Sequence, residues 1–251
     1  MNVSLYQAAA ALNANARWQE LISENLASSA IPGYKKKDLA IAAVEAGLLP
    51  AGALDSQGRP AVFALPKATA AVNFLPGEMR VTGVKTDVAI DGPGFFEVQL
   101  PDGSSAHTRD GEFHINAQGQ LVTKEGYLVM GETGPIQIDP RNSAELSISA
   151  TGEVTQGIDR RGKLKLMEFD DPKLLRQITG GYFLADDPNL NGAPSTRSTL
   201  RQGFLETANV STVTEMANLM TAMRTFEANQ RIIQLQDERI GRVINELGNP
   251  S

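Results

Sequence analysis

Near the C-terminus, an apolar residue recurs every seven residues without interruption: Leu219, Phe226, Ile233, Ile240 and Leu247. A second ladder starts three residues earlier and is apolar at three of its five positions: Met216, Met223 and Ile244, with Gln230 and Asp237 between them. A seven-residue repeat is typical of helices that pack on other helices. The sequence therefore predicts one long helix over residues 212–247, roughly 54 Å long at 1.5 Å per residue.

The first 30 residues show a similar apolar stripe, with small or apolar residues at spacings of three and four. Its large members are Leu5, Leu12, Ile22 and Leu26. This spacing predicts a second helix, which we expect to end before Pro32-Gly33.

A long helix with one apolar stripe is not stable alone in water and must bury that stripe. We therefore expect the two terminal helices to pair as a coiled-coil-like, discontinuous domain of residues 1–34 and 208–251. The alternative is an ordinary α+β enzyme whose terminal helices pack on its own sheet. The residues expected at the helical assembly interface are Leu5, Leu12, Ile22, Leu26, Met216, Leu219, Met223, Phe226, Ile233, Ile240, Ile244 and Leu247.

Between the helices, the apolar period changes to two, and glycine-containing turns separate short runs. This pattern predicts an all-β domain over residues 74–207, so that the fold class is α+β with the β domain inserted between the terminal helices. The strongest turn is Asp110-Gly111, which predicts a type I′ hairpin between residues 105–109 and 112–116. Residues 35–73 show no clean periodicity and predict a connecting segment with one short helix or strand at most.

Composition excludes several classes of function. The net charge is −6, whereas nucleic-acid binding usually requires a basic field. The chain has no cysteine, which removes disulfides and thiolate chemistry. No apolar run is long enough for a transmembrane helix, and no cleaved signal peptide is expected.

A few residues could carry chemistry. In the predicted hairpin His107 and His114 lie opposite each other, but two ligands alone do not define a zinc site, and we favour a surface or interface pair. The acidic pairs Asp170-Asp171 and Asp186-Asp187 stand in turn-like contexts and are interpreted as solvated loop residues. Lys35-Lys36-Lys37 is interpreted as a solvated hinge. We therefore expect no catalytic site, no metal, no cofactor and no small-molecule substrate.

Several segments together resemble the flagellar basal-body rod and hook protein family. They are the run from Glu24 to Ala27 and Gly33-Tyr34 in the first helix and its exit, the run from Asp87 to Phe96, the run from Thr108 to Phe113, and the run from Leu205 to Val210. The residues that carry the resemblance are Asn25, Leu26, Gly33, Asp87, Gly92, Gly94, Phe95, Phe96, Thr108, Arg109, Gly111, Phe113, Glu206 and Asn209. Residues 35–73 match nothing in the family's pattern.

The resemblance implies a non-enzymatic subunit of the rod that polymerises through its terminal helices into an axial tube, transmits torque and leaves an export channel. It implies other rod and hook subunits and the flagellar type III export apparatus as partners, and a periplasmic position in the basal body. Segments 162–166 and 174–183 are more similar to the proximal than to the distal rod protein. Two alternatives stay open: a periplasmic glycan-acting enzyme and a soluble β-rich binding module with dimerising helices.

Overall fold

The computed structural model describes residues 3–48 and 62–248, without the side chains of residues 3–6, 43, 45–48, 62–66, 240 and 243–248. The chain divides into two compact units. The first unit consists of the described parts of residues 1–26, 37–71 and 212–251, and the second of residues 27–36 and 72–211. Helices and antiparallel strands occur in one chain, which confirms the predicted α+β class.

The first unit contains the two long helices. Helix α1 spans Val3–Ala27 and helix α2 spans Thr212–Gly248, in agreement with the two helical stripes of the sequence. Whether the helices pair as a coiled coil stays a prediction.

The same unit contains two long strands where the sequence predicted a connecting segment. Strands β1 (Lys37–Leu48) and β2 (Val62–Val72) form a two-stranded sheet. The prediction of one short element at most was therefore wrong for residues 37–48 and 62–72. Both strands are rich in alanine, which has a low β propensity, so the local sequence carried little strand signal.

The second unit is built from short antiparallel strands. The strands are β3 Met79–Val81, β4 Val88–Asp91, β5 Phe95–Gln99, β6 Ser105–Thr108, β7 His114–Ile115, β8 Leu121–Val122, β9 Leu128–Gly131, β10 Gly134–Pro135, β11 Leu146–Ile148, β12 Glu153–Gln156, β13 Asp159–Lys163, β14 Leu166–Phe169, β15 Arg176–Gln177, β16 Tyr182–Leu184, β17 Gly192–Pro194, β18 Thr199–Gln202 and β19 Phe204–Glu206. The largest sheet has ten strands, and its central path runs in the order β15-β16-β6-β5-β9-β8-β7. In the same sheet β14 also pairs with β5, β17 pairs with β14, and β10 pairs with β9. A three-stranded sheet has the order β11-β12-β13, and two further pairs are β18-β4 and β19-β3.

Two apolar clusters form the core of this unit. The larger one joins strands of all the main sheets and includes Phe96, Phe113, Leu121 and Val154, each at most 1% exposed. Phe96 and Phe113 pack edge to face, with their ring centroids 5.0 Å apart. The smaller cluster is centred on the rings of Phe95, Phe169 and Phe183.

The predicted hairpin at Asp110-Gly111 was wrong. Strand β6 pairs with β5 and β16, whereas β7 pairs with β8. A type I′ turn needs a positive φ at both central residues, and neither Asp110 nor Gly111 has one. Glycine is required at 111 for a different reason, because a Cβ there would lie 1.8 Å from the carbonyl oxygen of Val88. That carbonyl lies close because the Val88 N–H donates to the Gly111 carbonyl at 3.1 Å.

We predict that Gly111→Ala lowers the free energy of unfolding by about 3 kcal/mol, since the added methyl group must displace buried backbone. The control Gly103→Ala, at a φ of +84° but with nothing within 4 Å of the added methyl, should cost only about 1 to 2 kcal/mol. Gly111→Asn distinguishes a turn that needs a positive φ from a close contact with the Val88 carbonyl. Asparagine tolerates a positive φ, but its Cβ would still collide with that carbonyl. Denaturant unfolding that showed Gly111→Asn to be as stable as Gly103→Ala would contradict the close-approach account.

Candidate functional site

The predicted interface residues of α1 have different environments. Ile22 is buried, together with its neighbour Leu21, whereas Leu12 and Leu26 are half-buried. The side chain of Leu5 lies outside the described residues. The helix therefore buries its C-terminal half most completely.

On α2, the two predicted ladders differ in exposure. Leu219, Phe226 and Ile233 are half-buried, whereas Met216 and Met223 are 53% and 52% exposed. The side chains of the remaining members lie outside the described residues: Ile240, Ile244 and Leu247.

Helix α2 thus has two apolar faces. One contains buried Ala222 with half-buried Phe226 and Ile233, and the other contains Met216, Met220 and Met223, each more than half exposed. At 100° per residue the centres of the two faces are about 110° apart. We call Met216, Met220 and Met223 the methionine stripe. Nothing in the described part of the chain covers it.

Asn25 fixes the path of the chain after α1. Its side-chain Nδ2 donates to the Lys37 carbonyl at 2.9 Å, and its Oδ1 accepts from the Lys37 N–H, also at 2.9 Å. The Lys37 ammonium contacts the Glu24 carboxylate. Because the Asn25 side chain satisfies both backbone groups of Lys37, it holds the start of β1 beside the helix.

The second unit contains a buried charge cluster. The Glu206 carboxylate accepts from Lys35 Nζ at 2.6 Å, from Arg109 Nη1 at 3.3 Å and from the Gly77 N–H at 2.8 Å. The Lys35 and Glu206 side chains are each 1% exposed and that of Arg109 is 6% exposed. We call Lys35, Arg109 and Glu206 the Glu206 cluster, which connects three distant segments of sequence.

Arg109 extends the cluster towards the run Asp87 to Phe96. Its Nη2 donates to the Gly92 carbonyl at 2.7 Å, and its guanidinium lies 5.0 Å from the centre of the Phe95 ring. Burial lowers the pKa values of Lys35 and Arg109, and the Glu206 carboxylate opposes that effect at both. The Glu206 carboxylate thereby stabilises the charged forms of Lys35 and Arg109 in the buried cluster.

The interpretation of Lys35-Lys36-Lys37 as a solvated hinge was wrong for Lys35. Lys35 is completely buried, whereas Lys36 and Lys37 are half-buried. A lysine in a basic triplet normally indicates solvent, and the only signal for its burial is the matching acidic residue, 171 positions further along the chain.

Gly33 and Asn209 connect the segment that follows α1 with the segment that precedes α2. The Gly33 N–H donates to the Glu206 carbonyl at 2.7 Å, and at a φ of +66° a Cβ there would lie 2.4 Å from the Arg109 carbonyl. Asn209 Oδ1 accepts from the Lys36 N–H at 2.7 Å, and its Nδ2 donates to the Asn73 carbonyl at 2.8 Å. The first and last family segments of this unit therefore meet in space.

The remaining family residues shape the surrounding sheet. Buried Thr108 accepts from the Asp110 N–H at 3.0 Å, and the Asp87 carbonyl accepts from the Gly203 N–H at 2.8 Å. The Gly94 N–H donates to Ser198 Oγ at 2.8 Å. These contacts set the geometry of the backbone around the Glu206 cluster, while Phe96 and Phe113 lie in the core.

The two histidines do not face each other, because the predicted hairpin does not form. His107 pairs with Glu97 and Phe183 across the sheet, whereas His114 pairs with Val122. His107 is buried against the Phe169 ring, and burial lowers its pKa. Among the described residues, no group of three or more histidine or acidic side chains could hold a metal ion.

The acidic pairs have local roles. Asp170, Asp171 and Asp186 are exposed, and Asp171 Oδ1 accepts from the Lys173 N–H at 3.1 Å to cap a short 3₁₀ turn. Asp186 forms an ion pair with Arg176. These contacts agree with their interpretation as loop residues.

The buried charges of the Glu206 cluster hold distant segments of the chain together, and the methionine stripe is left more than half exposed. Residues 89–156 match the family described as flagellar hook protein FlgE/F/G D1 domain, and residues 201–247 match the flagellar basal body rod FlgEFG protein C-terminal family. Among the described residues, no helix combines the length and apolarity that crossing a membrane requires.

Several curated relatives are similar over most of the chain. Flagellar basal-body rod protein FlgF of Caulobacter vibrioides is 33% identical over 230 residues, which cover 91% of each chain. FlgF of Escherichia coli K12 is 30% identical over 254 residues, covering 96% of this chain and 97% of the relative. FlgG of Buchnera aphidicola from Baizongia pistaciae is 37% identical over 180 residues, covering 66% and 67%. The chain belongs to the flagellar basal-body rod protein family and is a structural subunit of the rod.

We predict that Glu206→Gln lowers the free energy of unfolding by about 3 to 5 kcal/mol, because two buried cations lose their shared counter-charge. Asp186→Asn, which breaks the exposed pair with Arg176, is the matched control and should cost less than about 1 kcal/mol. Thermal or denaturant unfolding measures both. Equal losses in the two variants would show that the Glu206 cluster does not stabilise this unit.

A pH dependence follows from Asp110. Burial raises the pKa of this carboxyl from 3.8 to about 7, although a hydrogen bond from the Glu112 N–H opposes the rise. The folded state therefore binds a proton that the unfolded state has released, and stability falls as the pH rises through this interval.

We predict that Asp110→Asn, which keeps the acceptor oxygen but carries no charge, matches the parent near pH 4. At pH 8 it should be more stable by roughly 2 to 4 kcal/mol. Unfolding curves measured across this range test the claim, and parallel profiles for the two proteins would contradict it.

Proposed function

We propose that this rod subunit polymerises through α1 and α2 into an axial tube, which transmits torque and leaves a channel for export. The observation that carries the proposal is the methionine stripe, an uncovered apolar face on a helix of 37 residues. In this proposal residues 1–34 and 208–251 form the assembly domain, and residues 74–207 form an inserted β domain.

The energetics favour assembly through this face. Complete burial of a methionine side chain contributes about 1.5 to 3 kcal/mol. Each member of the stripe is about half exposed, so that three together offer several kcal/mol per subunit on assembly. Methionine is unbranched and adapts to irregular surfaces, which suits contacts that are not identical at every position.

The route to this position is also part of the proposal. The subunit would pass through the flagellar export apparatus without a cleaved signal peptide and assemble in the periplasm with other rod and hook subunits. The family membership supports this proposal. The comparisons include relatives named FlgF and relatives named FlgG, and the greater similarity to the proximal rod protein stays a prediction.

We predict that the double variant Met220→Glu, Met223→Glu leaves the folded monomer intact but reduces incorporation into basal bodies at least about tenfold. A loss of 1.4 kcal/mol per contact is sufficient for that factor. Far-ultraviolet circular dichroism checks the monomer, and quantitative mass spectrometry of isolated basal bodies measures incorporation.

The matched control is Met220→Leu, Met223→Leu, which keeps both positions apolar and should incorporate normally. If the glutamate variant incorporated as well as the leucine variant, the methionine stripe would not be an assembly surface.

A further inference from the structure

The first unit contains an apolar groove that no described part of the chain fills. Its volume is about 410 Å³. Residues from α1, β1 and α2 line it: Ala11, Ala14, Asn15, Trp18, Leu39, Ile41, Thr225 and Asn229. The small alanines on α1 let another helix approach closely, and Trp18 and Ile41 provide apolar walls.

Asn15 is the unusual member of this lining. It is only 6% exposed, and neither Nδ2 nor Oδ1 has a hydrogen-bond partner in the described part of the chain. Burying an amide without partners is unfavourable, and buried side-chain amides in folded proteins are nearly always paired. A ligand that supplies both a donor and an acceptor beside an apolar surface would remove this cost.

We propose that the groove binds α2 of a second copy of this chain, with the methionine stripe in the apolar part and an amide side chain of that helix paired with Asn15. This inference rests on the proposed function and names the surface that receives the stripe.

The sequence of α2 fits both halves of the groove. The methionine stripe is uncovered and adaptable, and exposed Gln230 and Gln234 continue on the same side of the helix. A glutamine side-chain amide has an NH₂ group that donates and an oxygen that accepts, which is the complement of the unpaired oxygen and NH₂ group of Asn15.

A contact between a groove on one copy and a stripe on another is heterologous. Such contacts produce rings if the rotation closes and open helical filaments if it does not. Because the chain is a rod subunit, a filament is the expected product.

In such a contact the Asn15 amide determines the register between the two copies. A single buried asparagine in an apolar helix interface selects one register, since every other alignment leaves its amide unpaired. Asn15 is thus inferred to be a positioning residue that fixes how far one subunit is shifted along the next.

Cysteine cross-linking tests this directly, because the natural chain contains no cysteine. Cells would express one tagged copy with Ala11→Cys and a differently tagged copy with cysteine at Met216, Met220, Met223 or Gln230. After oxidation of isolated basal bodies, we expect disulfide-linked pairs of the two tags. Ala16→Cys, on the exposed side of α1, and Thr221→Cys, on α2 away from the stripe, are the matched controls.

At least tenfold more cross-linking for the groove-to-stripe pairs than for either control would support the inference. Equal or absent cross-linking in basal bodies that contain the chain would overturn it while leaving the rod function intact. Absence of the chain from the basal bodies would instead overturn the proposed function, and the inference with it.

Asn15→Leu tests the role in register. In the parent we expect one cysteine position on the stripe to dominate cross-linking, whereas in Asn15→Leu the yield should spread over several positions. The monomer of the variant should unfold at a higher temperature, because an unpaired buried amide is lost. A higher unfolding temperature with an unchanged cross-linking pattern would show that Asn15 does not set the register.

Discussion

The central constraint on this protein is that α2 has more apolar surface than its own unit covers. Ala222, Phe226 and Ile233 are buried or half-buried, whereas the methionine stripe on another face is left in solvent. A helix of this length is stabilised mainly by packing of its apolar faces rather than by local propensity. The uncovered face supports our proposal that a neighbour covers it in the assembled rod, and in that proposal the stability of the helical unit is coupled to assembly.

The Glu206 cluster joins distant segments of the chain within the second unit. Residues 33–36 follow α1, and residues 206–209 precede α2. Hydrogen bonds and ion pairs with polar groups hold both segments in the second unit. Lys35, Gly33 and Asn209 each take part in these contacts. Because removing one member of a buried charge cluster leaves the others without a partner, the arrangement strongly favours one local packing of these two segments within the second unit.

Sequence periodicity predicted the parts of the structure that depend on local patterns. The seven-residue ladder identified α2, and alternating runs such as Phe95–Gln99 identified many of the strands. Sequence periodicity failed where contacts between residues distant in the sequence determine the structure. Gly111 was interpreted as a turn residue, but the carbonyl of Val88 determines its identity. Lys35 appeared solvated because its partner, Glu206, is distant in sequence, and the alanine-rich strands β1 and β2 had no alternating pattern to reveal them.

The candidate interface was predicted in a similar way, from residues whose spacing indicates packing without saying what they pack against. The structure divides the predicted ladders of α2 into a half-buried one, with Phe226 and Ile233, and an exposed one, with Met216 and Met223. No periodicity could have shown that Asn15 lacks a partner, since this depends on the three-dimensional surroundings of its amide.

Amide hydrogen exchange of α2, compared between the dilute monomer and isolated basal bodies, tests the coupling of assembly and helix stability most directly. The account predicts faster exchange along residues 212–239 in the dilute monomer, where the helix is folded but opens readily, than in the basal body, while strands such as β5 and β6 are protected equally in both. Equal, strong protection of α2 in the dilute monomer would contradict it, because the helix would then be stable without a neighbour.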